Sequence, residues 1–115
     1  MRFQLPRAVA TALLVAVLIA ALAGGAHAEE MTVPLAVHDG GFEPARIKTA
    51  SGAKIRLEVT NRTSSAIEFE SFELNRERVI QPGQKVAVYL SGLSAGQYEF
   101  FDDFHPERKG MLVVE

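Results

Sequence analysis

The sequence predicts an all-β fold, a β-sandwich of six to eight short strands. Three observations predict it. Segments in which apolar and polar residues alternate recur along the chain, and turn-forming glycine, proline and asparagine separate them. No window after residue 28 has a helical period long enough to predict a helix. The chain has 115 residues and no cysteine, which bounds it to one small domain without disulfides.

The first 28 residues have the composition of a secretory signal peptide. Arg2 and Arg7 form a basic head, a long uncharged run of apolar and small residues follows, and Ala26-His27-Ala28 places alanines at the −3 and −1 positions of a cleavage site. The rival interpretation is a transmembrane anchor, because the apolar run is nearly long enough to cross a bilayer. The alanine pair and the acidic residues behind it favour cleavage. The predicted organisation is therefore a signal peptide, residues 1–28, and one domain, residues 29–115.

The predicted domain is acidic. It keeps all 14 acidic residues of the chain but loses Arg2 and Arg7 from the 12 basic ones, so its net charge is −4 with neutral histidines. The predicted domain has no basic patch of the kind that binds nucleic acid. An exported protein without cysteine has neither a disulfide nor a thiolate ligand, so its stability must come from the core alone or from the core and a bound ion.

Six segments have strand patterns. The first alternates as Val-Pro-Leu-Ala-Val, and the second, AKIRLEVT, alternates most cleanly, with Ile55, Leu57 and Val59 on one face. IEFESF and KVAVYL repeat the alternation, QYEFF is an aromatic strand, and MLVVE is an apolar one. The predicted strands cover residues 33–37, 53–60, 67–72, 85–90, 97–101 and 111–115.

Two glutamates interrupt the predicted strand at residues 67–72. Glu68 and Glu70 are two residues apart, so both side chains project from one face of the strand. The plain interpretation is a solvent-facing pair on a half-buried strand. Two adjacent carboxylates repel each other, however, and Arg76, Arg78 or a metal ion can supply the cation that relieves the repulsion.

The segment FDDFHPERKGM, residues 101–111, concentrates further side chains that can bind metal. His105 lies three residues after Asp102, and Asp103 lies between them. A carboxylate and an imidazole in one tight loop form a common ligand set for a divalent ion. The alternative is a solvated polar loop in which Phe104 and Pro106 shape the turn. Glu77 and Glu107 are weaker candidates for ligation, and His38 is interpreted as a surface histidine.

The longer pattern resembles the cupredoxin family. The matching features cover nearly all of the predicted domain: Phe42-Glu43-Pro44, Pro82-Gly83, Leu93, Gly96-Gln97-Tyr98, His105 and Gly110. The resemblance implies a Greek-key β-sandwich of cupredoxin type, with one ligand on a mid-chain strand and the others in a late loop, which is the segment 101–111 in this sequence. It places Glu68 at the position of the first histidine ligand, Asp102 at the cysteine position and His105 at the loop histidine.

The departures from the family pattern predict an unusual metal site. A blue copper centre needs a copper–thiolate bond, so blue-copper electron transfer is not expected from a chain without cysteine. Glu68, Asp102 and His105 are instead an oxygen-rich set, which suits Cu(II), iron, Mn(II) or Zn(II) better than Cu(I). Glu70 and Asp103 are predicted to complete the shell or to hold a second ion. Met111 is interpreted as a core residue of the last strand, with axial ligation as the alternative, and Arg108 lies nearer the axial position.

One branch of the family is most similar. The segments EFES and YEFFDDFH resemble the small periplasmic cupredoxin-like proteins of bacterial ferrous-iron uptake systems. The resemblance implies a periplasmic protein that binds copper or iron beside a permease and a second metal-binding protein. It also implies a role in ferrous-iron or copper uptake, in which copper-assisted oxidation of Fe(II) is the most that is expected of it as an enzyme. The alternative is a metal-free β-sandwich module that docks through its acidic patch.

Overall fold

The computed structural model describes residues 30–115, which form nine β-strands and no helix. Among these residues no helix is long and apolar enough to cross a membrane. The predicted signal peptide, residues 1–28, lies outside the described residues. The strands are β1 (Glu30–His38), β2 (Gly41–Glu43), β3 (Arg46–Thr49), β4 (Lys54–Asn61), β5 (Ile67–Ser71), β6 (Arg76–Ile80), β7 (Lys85–Ser91), β8 (Gly96–Asp102) and β9 (His105–Val114).

The strands form two sheets that pack face to face. One sheet has four strands in the order β2-β1-β4-β7, and the other has five in the order β3-β9-β8-β5-β6. Two pairs are parallel, β1 with β4 and β3 with β9, and the other neighbours are antiparallel. The predicted sandwich is confirmed.

The structure has more strands than the six to eight that the sequence predicts. The sequence patterns missed β2, β3 and β6. β2 has three residues and β3 has four, too few for an alternation to be recognised. β6 lies at the edge of the five-stranded sheet, and only its last residue, Ile80, is buried, so its sequence has no apolar face.

Alternation builds the core between the sheets. Along β4 every second residue is buried, and the same period holds along β5. Three phenylalanines from different strands meet in the core. The Phe42 and Phe100 rings cross edge to face with centroids 4.9 Å apart, and the Phe69 ring stacks on Phe100 at 5.5 Å. Phe69 and Phe100 bring the adjacent strands β5 and β8 together, and these strands position the candidate site.

Polar side chains fix both ends of β5. Before the strand, the buried Asn61 side chain donates to the carbonyls of Ser65 and Ile80, each at 2.9 Å. At its end, the Ser71 hydroxyl donates to the carbonyl of Glu99 at 2.6 Å and accepts from the backbone N–H of Leu74. These bonds satisfy buried polar groups where the chain enters and leaves the sheet, so the register of β5 is fixed.

Candidate metal centre

Three carboxylates meet on the outer face of the five-stranded sheet. Glu68 and Glu70 project from β5, and Asp103 lies in the turn between β8 and β9. One oxygen of each lies within 4.8 Å of the others. We call these three residues the carboxylate cluster. Glu68 and Glu70 are half-buried and Asp103 is exposed, so the cluster is open to solvent on one side.

The turn that carries Asp103 is attached to β5. The backbone N–H of Asp103 donates to the carbonyl of Glu68 at 2.8 Å. The pairing of β8 with β9 shifts in register between Phe101 and Asp102, where the strands begin to turn. Such irregularities re-aim side chains at the end of a ladder. The sequence placed Asp103 second to Asp102, because a register shift of this kind has no signal in the residue pattern.

The cluster has an excess of negative charge. Partial burial of Glu68, its side-chain hydrogen bonds with Glu70 and Glu77, and the charges of these two residues together raise the pKa of Glu68 to about 7. Glu77 lies directly across from Glu70 on β6. The sequence treats Glu77 as a weak candidate because β6 itself has no recognisable strand pattern.

Neither arginine of β6 neutralises the glutamates. The Arg76 guanidinium donates to the carbonyls of Leu74, Asn75 and Tyr89. Arg78 pairs across the ladder with Phe69, which faces the core, so it lies on the other face of the sheet. The repulsion that the sequence predicts is therefore present, and a proton on Glu68 or a metal ion can relieve it where the two arginines do not.

Asp102 and His105, predicted as primary ligands, do not join the carboxylate cluster. The Asp102 side chain is fully buried on the inner side of β8. Its Oδ1 accepts from the backbone N–H groups of Glu68, at 3.0 Å, and Phe104, at 3.1 Å. Its Oδ2 accepts from Nη1 of Arg108 at 3.1 Å, and Nδ1 of His105 lies 3.4 Å from the same oxygen.

The structure thus arranges the predicted ligands differently from the sequence. It brings together Glu68, Glu70 and Asp103, two of which were expected only as outer or second-site ligands. The expected trio of Glu68, Asp102 and His105 does not converge within residues 30–115, because Asp102 points inward and holds the loop. Metal binding by any of these five residues stays a prediction.

Met111 and His38 lie away from the cluster. Met111 is half-buried between Arg46 and Glu99 on the outer face of the sheet, so its interpretation as a core residue is wrong. His38 belongs to the other sheet, where its Nε2 lies 3.4 Å from a carboxylate oxygen of Glu43 and its Nδ1 accepts from the N–H of Gly40.

A family model for the cupredoxin-like domain matches residues 9–114. The chain belongs to the cupredoxin-like domain family. An uncharacterised protein of Rickettsia prowazekii is 33% identical to this cupredoxin-like chain over 85 residues, which cover 73% of this chain and 68% of the relative.

Solved structures have the same fold. The metal-binding domain of the Cu(I)-exporting P-type ATPase CopA of Streptococcus pneumoniae, solved with Cu(I), aligns with a TM-score of 0.69 at 18% identity and covers 75% of this chain and 86% of that domain. The purple cupredoxin of Nitrosopumilus maritimus aligns with a TM-score of 0.58 at 17% identity, and the alignment covers 72% of this chain and 99% of that protein. These similarities establish the cupredoxin fold of this chain.

The interior of the late loop does not fit a copper–thiolate centre. No cysteine occurs anywhere in the chain, and Asp102, at the cysteine position of the family resemblance, is already paired with Arg108. The carboxylate cluster fits a different ion. Its donors are all oxygens, two on a rigid strand and one on a turn, which suits a hard divalent or trivalent cation.

Proposed function

We propose that this protein binds copper or iron in the periplasm and takes part in ferrous-iron or copper uptake. The observation that carries the proposal is the convergence of Glu68, Glu70 and Asp103 within 4.8 Å. Three carboxylates this close repel one another unless a cation or protons neutralise them. The pKa of Glu68 is raised by its partial burial and by its hydrogen bonds and charge repulsion with Glu70 and Glu77. A bound cation removes the repulsion.

The position of the cluster supports a role in carrying an ion. Asp103 is exposed. Phe101, the partner of Glu70 on the adjacent strand, packs against the exposed ring of Phe72 with centroids 5.3 Å apart. An ion held at such a surface can be exchanged with another protein without opening the core. The similarity of EFES and YEFFDDFH to the cupredoxin-like proteins of ferrous-iron uptake supports a periplasmic or membrane partner from such a system.

Oxygen ligands also favour one side of a redox couple. Carboxylates stabilise the higher charge of Fe(III) or Cu(II) more than neutral ligands do. When bound, copper would supply one-electron chemistry, and the cluster would hold the oxidised ion more tightly. For bound iron this preference lowers the reduction potential, so Fe(II) at the cluster would give one electron to dioxygen more readily, and assistance in the oxidation of Fe(II) is part of the proposal.

The test is a calorimetric titration with Cu(II) and with Fe(II) of the protein without its predicted signal peptide, residues 29–115. Glu70→Gln and Asp103→Asn keep the side-chain shape and remove one charge each, so we expect each to weaken binding by tenfold or more. Glu43→Gln, on the other sheet, is the matched control and should bind as the unaltered protein does. Equal affinity in all four proteins would refute the proposal. Oxygen-dependent loss of Fe(II) in the presence of copper tests the redox part separately.

A second candidate is a metal-free docking module. The observation that favours it is the same acidic surface beside Phe72, a residue that is 76% exposed. Exposed aromatic side chains next to carboxylates suit the lysine or arginine side chains of a partner. This candidate predicts no metal affinity but loss of partner binding in both Phe72→Ala and Glu70→Gln.

A further inference from the structure

We infer that Arg108 is a built-in cation that excludes metal ions from the interior of the late loop. Asp102, at the cysteine position of the family resemblance, then holds an arginine instead of a metal, and His105, at the position of the loop histidine, lies beside the same carboxylate. The exclusion does not depend on the proposed function. Only its consequence does, namely that the protein binds its ion at the carboxylate cluster on the surface.

The guanidinium of Arg108 is enclosed between two carboxylates. Its side chain is 9% exposed, its Nη1 lies 3.1 Å from Asp102 Oδ2, and its Nη2 lies 3.6 Å from Oδ1 of Asp39. Asp102 is buried and Asp39 is exposed, so Arg108 runs from the interior toward the surface. Because arginine stays protonated in proteins, this positive charge is permanent.

The carboxylate of Asp102 has little capacity left for a metal. Oδ1 accepts two backbone N–H groups, and Oδ2 accepts the guanidinium. A metal ion on Oδ2 would lie within a few ångströms of the positive charge of Arg108, in a buried environment where solvent screens little. The ion and the arginine therefore compete for one oxygen, and the arginine is covalently part of the loop.

The imidazole of His105 shows what the arginine prevents. Its Nδ1 is buried, has no hydrogen-bond partner and lies 3.4 Å from Asp102 Oδ2. A carboxylate oxygen and an unpartnered imidazole nitrogen therefore already face the same small volume. Removal of the guanidinium charge would leave two metal ligands side by side, where the carboxylate then lacks its counter-ion.

The test removes the charge but keeps an unbranched, flexible side chain. We expect Arg108→Met to bind one more Cu(II) per chain than the unaltered protein, measured by metal analysis after desalting. We also expect nitrogen superhyperfine coupling from one imidazole in its electron paramagnetic resonance spectrum. Each protein is compared with its own His105→Ala counterpart, so nitrogen signals from other groups cancel. Arg108→Lys keeps the charge and should gain neither the ion nor the coupling.

Two results would overturn the inference. The first is a folded Arg108→Met protein, by circular dichroism, that gains no ion and no His105-dependent coupling. The second is a spectrum of the unaltered protein that already contains His105 coupling, and this needs no variant at position 108, so it decides the matter even if Arg108→Met fails to fold. If the proposed function is wrong, the results differ. Glu70→Gln would not change Cu(II) binding, and Arg108→Met would still bind one more Cu(II) per chain than the unaltered protein.

Discussion

At the scale of single residues, the buried charge of Asp102 determines how the late loop is held. An aspartate in a fully buried position needs a counter-ion and hydrogen-bond donors, because an unpaired buried charge is very unfavourable. Arg108 supplies the first, and the N–H groups of Glu68 and Phe104 supply the second. Asp102 therefore joins β5, the turn and β9, and this structural role explains why it is separate from the carboxylate cluster.

This role predicts a large loss of stability when Asp102 is replaced. Asp102→Ala leaves the Arg108 charge buried and two N–H groups unpaired, so we expect the free energy of unfolding to fall by about 3–5 kcal/mol. Urea denaturation followed by circular dichroism measures the change. Asp103→Ala, at the adjacent exposed position, is the control and should change stability by less than about 0.5 kcal/mol. Similar losses in both variants would contradict the structural role of Asp102.

The pKa of Glu68 gives a second prediction at this scale. Its pKa is about 7 in the folded protein, against 4.5 as the ordinary value. The folded state therefore binds the proton more tightly than the unfolded state, and this group's contribution to stability is present below pH 4.5 and is lost as the pH rises through 7. We expect Glu68→Gln to abolish that part of the pH dependence and to have the higher melting temperature above pH 7.

Thermal denaturation without metal, from pH 4 to pH 8, measures the effect, and a carbon-13 NMR titration of the Glu68 carboxyl reports its pKa directly. Glu43→Gln, on the other sheet, controls for the general effect of removing one negative charge. A Glu68 titration near pH 4.5 would show that the carboxylates do not repel one another as the geometry requires.

At the scale of strands, the sequence predicts well where a strand has one buried face. The alternation of β4, β5 and β7 is visible in the residues, and their placement is confirmed. β6 was missed because an edge strand buries only Ile80, and Glu77 was underrated with it. The register shift at Asp102 was also beyond the sequence, since it depends on how β8 and β9 pair and not on either strand alone.

The close packing of β8 on β9 predicts an effect of a single methyl group. A Cβ at Gly110 would overlap the ring of Phe100 and would lie 3.2 Å from the carbonyl oxygen of Ala45. We expect Gly110→Ala to lower the free energy of unfolding by about 1–3 kcal/mol through overpacking. Phe100→Leu removes the ring atoms that this Cβ would overlap, so Gly110→Ala should cost less in its presence.

The interaction energy from a double-mutant cycle of these two positions is the measurement, with urea denaturation of all four proteins. If the losses from Gly110→Ala and Phe100→Leu simply add, the ring is not what excludes a side chain at position 110. The carbonyl of Ala45 would then be the remaining contact to examine.

At the scale of the whole molecule, the cupredoxin-like fold supplies a rigid frame and the residues on it decide the chemistry. The interior position that resembles a metal site of the family is closed by an arginine, and the carboxylates converge on the outer face of the five-stranded sheet instead. The fold could be predicted because it depends on patterns that run along each strand. The site could not be predicted fully, because it depends on contacts between β5 and the turn after β8.

Metal binding at that outer face should stabilise the whole molecule. An ion that binds the folded state alone, at 100 times its dissociation constant, adds about 2.7 kcal/mol. For a domain of this size the melting temperature should rise by roughly 10–20 °C. We expect Cu(II) or Fe(II) to produce such a rise, EDTA to reverse it, and Glu70→Gln to remove most of it. Glu43→Gln should respond as the unaltered protein does. A rise that survives Glu70→Gln and Asp103→Asn would place the ion elsewhere on the molecule, because neither variant alters the fold that the cluster rests on.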